Sequence, residues 1–332
     1  MAELFEERSR ERRARFEDYH SEEDDYADEI EPFSFEAIVE KEGERAIKSI
    51  FGFEVGEIRE IGEVVGPCLK QLGRGRRGLA AIDTLAIFLC WASSGLTLDK
   101  ISTFLKLSRT RISRNIKKFI KRSGDMLISR FIPQAIDSER SVIKFTNFPA
   151  AIGAVDATVV PICRPQDHAR QVFFYDGKHH DHTFKFQLLV APDGVALHRS
   201  KVVECKKHDK RLFDESGIID FITFELQVRR ATRLSRHAIL ADSGYTGITD
   251  SIPEAVVSLK NSPDRELTED ELAFNRSLAS DRMIVENYFA RMKTLFGIIA
   301  EDYRGDLFDL NELIQILVAL TNFHISKHPL RG

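Results

Sequence analysis

Two apolar runs in this chain each close on an aspartate, and a long helical pattern further on carries a glutamate. Ala150-Ala151-Ile152-Gly153-Ala154-Val155 leads into Asp156, Ala238-Ile239-Leu240-Ala241 leads into Asp242, and Glu286 lies within the helical pattern from Asp281 to Phe296. Short continuous apolar runs read as buried strands. Carboxylates at the ends of such strands are held on rigid backbone, and a helix laid against them adds a third. Three acids so placed can grip two divalent cations, about 3.5–4 Å apart, that activate a water and stabilise the leaving oxygen of a phosphodiester.

The rest of the chain narrows the setting. Its 332 residues are 43% hydrophobic and 30% charged, the balance of a soluble globular protein with room for roughly two domains. No apolar stretch reaches the ~18 residues of a membrane span. Cys68, Cys90, Cys163 and Cys205 form no CxxC pair and read as reduced thiols. The net charge of −4 hides an asymmetry. Residues 1–31 hold 13 acids and 5 arginines, leaving 39 acids against 43 bases in residues 32–332. The body is therefore mildly basic, which is compatible with nucleic acid, while residues 1–31 read as an acidic disordered tail.

Residues 32–132 carry helical patterns. Gly52, Gly56, Gly62 and Gly66-Pro67 interrupt those before Leu72, and Gly73 to Gly78 reads as a basic loop. Leu79 to Trp91 reads as a buried helix. A helix at Leu98–Leu105, a turn at Lys106–Ser108 and a helix at Arg109–Lys121 then suggest a helix-turn-helix over residues 98–121, with Ser108 as N-cap. Ile112, Ile116 and Phe119/Ile120 make its apolar stripe, and Arg109, Ser113, Arg114, Lys117 and Lys121 lie opposite. A basic, hydroxyl-bearing face on the second helix suits DNA reading, and a solvated helical hairpin is the plainer alternative.

After Pro133 the pattern turns to β. His182 to Val190 alternates, with Phe184, Phe186, Leu188 and Val190 on one face and Lys185 and Gln187 on the other. Ala191 to Gly194 turns it into Val195–Val203, Lys210 to Phe224 is helical or mixed, and Val256–Leu259 is a further strand. Helices at Glu269–Phe296, with a possible break near Ser277, and Leu310–His324 close the chain. This mixed α/β order allows the first and fourth strands to lie side by side. Both aspartates then share one edge, as in a ribonuclease H-like catalytic domain over residues 133–332.

Arg282 stands four residues before Glu286 and Lys293 seven after, on one helical face. These bases are expected to flank the cleft and meet DNA phosphates. Lys178 and His182 are expected to start a strand near its mouth and add positive charge there. The spacing of His179, His180 and His182 fits no zinc signature.

With these motifs in place, residues from about 150 to 325 resemble the catalytic domain of DDE transposases of the Harbinger type and of related bacterial insertion-sequence transposases. The matching stretches are Gly153-Ala154-Val155-Asp156-Ala157-Thr158 with Pro161-Ile162, Asp176-Gly177-Lys178-His179, and Leu240-Ala241-Asp242-Ser243-Gly244-Tyr245. To these are added Leu267-Thr268, Phe274 to Ser277, and Val285-Glu286-Asn287-Tyr288-Phe289 with Lys293. The resemblance implies Asp156, Asp242 and Glu286 as a triad holding two Mg²⁺ or Mn²⁺ ions. Arg282 and Lys293 match basic positions of a bacterial signature that expects Tyr where this chain has Ala279. It further implies double-stranded DNA at terminal inverted repeats and target sites, a homo-oligomer, and a separate Myb-like protein for finding element ends. A host nucleus, or the cytoplasm if the host is bacterial, follows as the location. The implied activity is transposition or nuclease action. The alternatives are a catalytically silent DNA-binding regulator or scaffold on the same fold, and a hydrolase of small phosphoesters that would leave the helix-turn-helix without a role.

Overall fold

The computed structural model describes residues 33–70, 79–133, 143–178, 180–231, 238–261, 265–305, 307 and 309–330. The acidic segment 1–31, the basic loop from Gly73 to Gly78 and His179 lie outside the described residues. Among the described residues six helices come first: α1 Phe35–Glu42, α2 Glu44–Phe51, α3 Val55–Lys70, α4 Ala81–Ser94, α5 Leu98–Leu105 and α6 Arg109–Phe131. The mixed part follows as β1 Ala151–Pro161, α7 His168–Phe174, β2 Tyr175–Asp176, β3 Asp181–Val190, β4 Ala196–Arg199 and β5 Val203–Glu204. It continues as α8 Asp209–Glu215, α9 Ile218–Ala231, β6 Ala238–Ala241, β7 Val256–Val257, α10 Glu269–Leu295, α11 Gly297–Ala300 and α12 Leu310–Lys327.

The sheet runs β2-β3-β1-β6-β7, with β4 and β5 also paired to β3. β1 pairs antiparallel with β3, and parallel with β6, so the first strand and the one leading to Asp242 are neighbours, as their order suggested. The sheet is mixed and helices cover both faces, the arrangement expected of a ribonuclease H-like domain. Gly153 is needed where these strands meet. A Cβ there would stand 2.9 Å from the carbonyl oxygen of Val190 and 2.9 Å from Leu189 Cδ1, closer than real Cβ atoms approach.

Several expectations change in the structure. Residues 55–70 form one helix straight through Gly56, Gly62, Gly66 and Pro67. Ile58, Ile61, Val65 and Leu69 are buried at helical spacing, and that burial outweighs the local breakers. Pro67 and Glu63, whose carbonyl loses its partner, both lie on the exposed side, where water can take the bond. Ser108 caps α6 as read, accepting from Arg111 N at 3.3 Å. The helix continues ten residues past Lys121, because Ser123 and Leu127 are buried and Gly124 lies against Ile316 of α12. α10 is unbroken at Ser277 and begins with a capping box between Thr268 and Glu271. β3 is buried on both faces, so Lys185 and Gln187, read as a polar face, are only 8% and 0% exposed.

One hydrophobic core runs from Phe33 to Ile325 and includes both the early helices and the α10 face of the sheet. A second cluster, built on Ile152, Val155, Leu189, Ile239 and Ala241, lies on the opposite face under α8 and α9. Buried Asn322 of α12 ties the layers together. Its Oδ1 accepts from Ala196 N at 2.9 Å, and its Nδ2 donates to Ala196 O at 2.9 Å and Phe131 O at 3.0 Å. No helix among the described residues is long and apolar enough to cross a membrane.

Candidate active site

Asp156 lies inside β1, which continues to Pro161, and not at a strand end. What ends beside it is the partner. β6 pairs parallel with β1 up to Ala154↔Leu240 and stops at Ala241, so Asp242 emerges next to Asp156. Asp156 sits opposite Leu188 and shares the α10 face of the sheet with it. Its carboxylate accepts from Ala157 N at 2.8 Å and lies 3.5 Å from Arg282 Nη2.

Asp242 caps the single turn Ser243–Tyr245, where its Oδ1 accepts from Gly244 N at 2.6 Å. Glu286 is exposed on α10, and α10 packs across β1, β3 and β6. Asp156 feels the charges of the other two. Burial pushes the Asp156 carboxyl up to about 6, the Arg282 guanidinium and the Ala157 N–H oppose that rise, and the charges of Asp242 and Glu286 add to it. Yet no three His, Cys, Asp or Glu side chains among the described residues gather closely enough to hold a metal ion. As donors the three acids offer carboxylate oxygens, the set that hard divalent ions such as Mg²⁺ and Mn²⁺ prefer.

The expected basic rim is different. Arg282 does not flank an open cleft: it is 7% exposed, and its Nε finds no partner among the described residues. Position 282 lies on the buried stripe of α10 with Leu278, Val285 and Phe289, so the helix points it inward beside Asp156. Lys293 is half-buried, and burial lowers its ammonium from the ordinary range. Lys178 is exposed in the turn between β2 and β3, and His182 is buried with its ring edge-on to Tyr175. His182 lies six residues along β3 from Leu188, the partner of Asp156, or about 20 Å at the rise of a strand.

On α6, Arg109 and Arg114 are exposed and Ser113 and Lys117 partly so, opposite the buried Ile112 and Ile116. Arg109 pairs with Asp99 at 3.4 Å. Tyr245 is fully buried, its hydroxyl donating to Gln187 Oε1 at 3.3 Å, and burial raises it far above the ordinary phenol range. It is no nucleophile. Asp156, Asp209 and Asp242 all add to that rise, so Asp209 is a fourth acid close to the same point.

Two residues that pattern reading left aside help build the site. Asp281, 1% exposed, accepts from Asn147 N at 2.8 Å, Phe148 N at 2.9 Å and Asn147 Nδ2 at 3.2 Å. It thereby pins the entry to β1 against α10, the helix that bears Arg282 and Glu286. Asp209 is bound by buried Lys185 at 2.9 Å. Nothing local to Asp281 in the sequence shows that Asn147 comes to meet it.

The raised Asp156 carboxyl has a consequence for metal-free protein. A carboxyl that titrates higher when folded costs stability above its folded value, and that cost fades as pH falls toward its unfolded value. Asp156→Asn should therefore raise the stability of metal-free protein at pH 8 by about 2 kcal/mol, or a few °C in melting temperature. The advantage should shrink as pH falls through about 6. Thermal melts of both proteins in chelator between pH 8 and pH 5 measure it. An advantage that grows on acidification would contradict the assigned environment.

The family described as DDE superfamily endonuclease matches residues 155–322, a stretch that contains Asp156, Asp242 and Glu286. A curated relative, the probable transposase for insertion sequence element IS702 of Microchaete diplosiphon, is 29% identical over 151 residues. Those residues are 46% of this chain and 49% of that protein, so the chain spans about half the length of the curated relative it matches. No solved structure matches it. With the family match covering half of its length, the chain belongs to the DDE superfamily endonucleases.

Proposed function

We propose that the protein is a metal-dependent DNA transposase or transposase-derived endonuclease, with Asp156, Asp242 and Glu286 as its working carboxylates. The observation that carries this reading is the parallel β1–β6 pairing, which sets Asp242 beside Asp156 on the face crossed by α10. Two bound divalent ions would supply Lewis acidity to the scissile phosphate and a more acidic bound water. The chain's own part is positioning. Asp156 and Asp242 stand on rigid backbone, Glu286 reaches toward them from α10, and Arg282 lies against Asp156 as a counter-charge.

In the nicking step water oxygen bonds to phosphorus and the P–O3′ bond breaks, leaving a 3′-OH and a 5′-phosphate. In strand transfer that 3′-OH attacks a target phosphodiester, and the P–O3′ bond of the target breaks in exchange. No covalent protein–DNA intermediate is needed, in keeping with the burial of Tyr245. Purified protein should nick supercoiled plasmid when Mn²⁺ is added, and should be inert in chelator. Protein that binds DNA but never nicks it would favour the regulator reading.

The helix pair α5–α6 is the proposed DNA contact. Arg109, Ser113, Arg114 and Lys117 lie on its solvent side, and each base that meets a phosphate releases counterions when DNA binds. Lys117→Ala should weaken binding to all sequences alike and lower the slope of log K against log salt by about 1. An unchanged slope in a fluorescence-anisotropy salt titration would remove this helix from the interface. A homo-oligomer, recognition of terminal inverted repeats and a Myb-like partner remain parts of the proposal suggested by the family.

A further inference from the structure

Asp242 is approached by negative charge from both faces of the sheet. On the α10 face stand Asp156 and Glu286. On the other face Asp209, at the first turn of α8, brings its Oδ2 to 3.2 Å from the point where a Cβ on Gly244 would stand, and Asp242 Oδ1 lies 2.9 Å from the same point. Only a glycine at 244 leaves room for both carboxylates. Asp209 does not drift there. Its Oδ1 is gripped at 2.9 Å by the ammonium of Lys185, which is only 8% exposed and also donates to the carbonyl of Lys207. Lys185 projects from β3 on the α8 face, and its register opposite Val159 fixes where it can reach.

We propose that Asp209, clamped by Lys185, is a positioning residue for Asp242. Its charge stands behind the Asp242 carboxylate, and repulsion between the two drives Asp242 toward Asp156 and Glu286, while the Gly244 N–H tethers it from the turn. Without Asp209 the Asp242 carboxylate can swing back toward the α8 face, and the site must pull it round whenever a divalent cation is taken up. The cost falls on cation affinity more than on the reaction at saturating cation. This inference rests on the nuclease reading above and assigns Asp209 no contact with DNA.

The test is a Mn²⁺ titration of the full chain, read both by thermal shift and by plasmid nicking, with Asp209→Asn, Asp209→Glu and Lys185→Met beside the wild type. Asp209→Asn is expected to raise the half-saturating Mn²⁺ concentration about tenfold in both readouts, the low end of what outer-shell substitutions cost a metal site. The maximal rate should fall far less. Asp209→Glu keeps the charge and should recover most of the affinity, and Lys185→Met, which frees Asp209, should fall between. An Asp209→Asn protein with the wild-type midpoint overturns the inference, even if its melting temperature without metal is lower, because the pair is then structural only. A midpoint shifted equally in Asp209→Asn and Asp209→Glu overturns it too, since charge is then not what matters. If wild-type protein neither shifts with Mn²⁺ nor nicks, the nuclease reading itself fails and takes this inference with it. A wild type that does both, beside an unaltered Asp209→Asn, sinks the inference alone.

Discussion

Asp242→Ala should abolish divalent-dependent nicking, with the rate down by at least about three orders of magnitude, equivalent to about 4 kcal/mol of lost transition-state stabilisation. Alanine removes a charged oxygen ligand and also the cap on the turn at Ser243, whose bond to Gly244 N is 2.6 Å. The cap is worth about 1 kcal/mol of stability. Asp242→Asn separates the two losses. Asparagine can still accept from the Gly244 N–H, so stability should hold, while an amide oxygen is a poor substitute for a carboxylate at a divalent ion and nicking should still be lost. Asp156→Ala and Glu286→Ala are expected to match in activity, and Glu286→Ala should have the smallest effect on folding because that side chain is exposed. A folded Asp242→Ala protein with full activity refutes the triad assignment.

Asp281→Ala should be the most damaging substitution for stability among the residues around the site, at about 3 kcal/mol. The carboxylate takes two backbone N–H groups and one side-chain amide from Asn147 and Phe148, and alanine would take that acceptor away at a part-buried joint, with the Asp281 side of it closed to solvent. The damage extends beyond stability. With the pin gone, the start of β1 can slide relative to α10, and the distances from Asp156 to Glu286 loosen. Chemical denaturation should show the lower midpoint, and nicking measured well below the melting temperature should also fall. Asp281→Asn can accept through only one oxygen and should lie between. Wild-type stability in Asp281→Ala would mean that these bonds are replaced by water at little cost.

Much of this arrangement is legible in the sequence, for reasons that can be named. The stripe of Ile112, Ile116 and Phe119 on α6, the Thr268–Glu271 box at the head of α10 and the apolar runs of β1 and β6 are local patterns, and local patterns survive folding where burial agrees with them. The misreadings have long-range causes. Pro67 reads as a breaker until Ile58, Ile61 and Val65 are seen to be buried together. Arg282 reads as a phosphate contact because charge implies exposure, yet its place on α10 turns it inward to Asp156. Lys185 and Gln187 look solvated by alternation, but α8 covers that face and gives Lys185 a carboxylate, Asp209, from 24 residues away. Asp156 reads as a strand end because the apolar run stops there. The strand continues because β3 goes on pairing with it up to Pro161.

The core that joins Phe33 to Ile325 separates two units that are easily confused, the one that bears the chemistry and the one that can melt. Every acid of the cleft lies beyond residue 150, and the family match begins at Val155. Yet α12 is packed along α6, through Ile316 against Gly124 and Asn322 against the carbonyl of Phe131. Cutting the chain between them would strip a helix of its cover and leave a buried amide without one of its bonds. The described helices ahead of the sheet therefore belong to the same cooperative unit as the carboxylates. A strain felt on the basic side of α6 can pass into α12 at Ile316 and Asn322, and Asn322 also holds the backbone of Ala196 in the sheet.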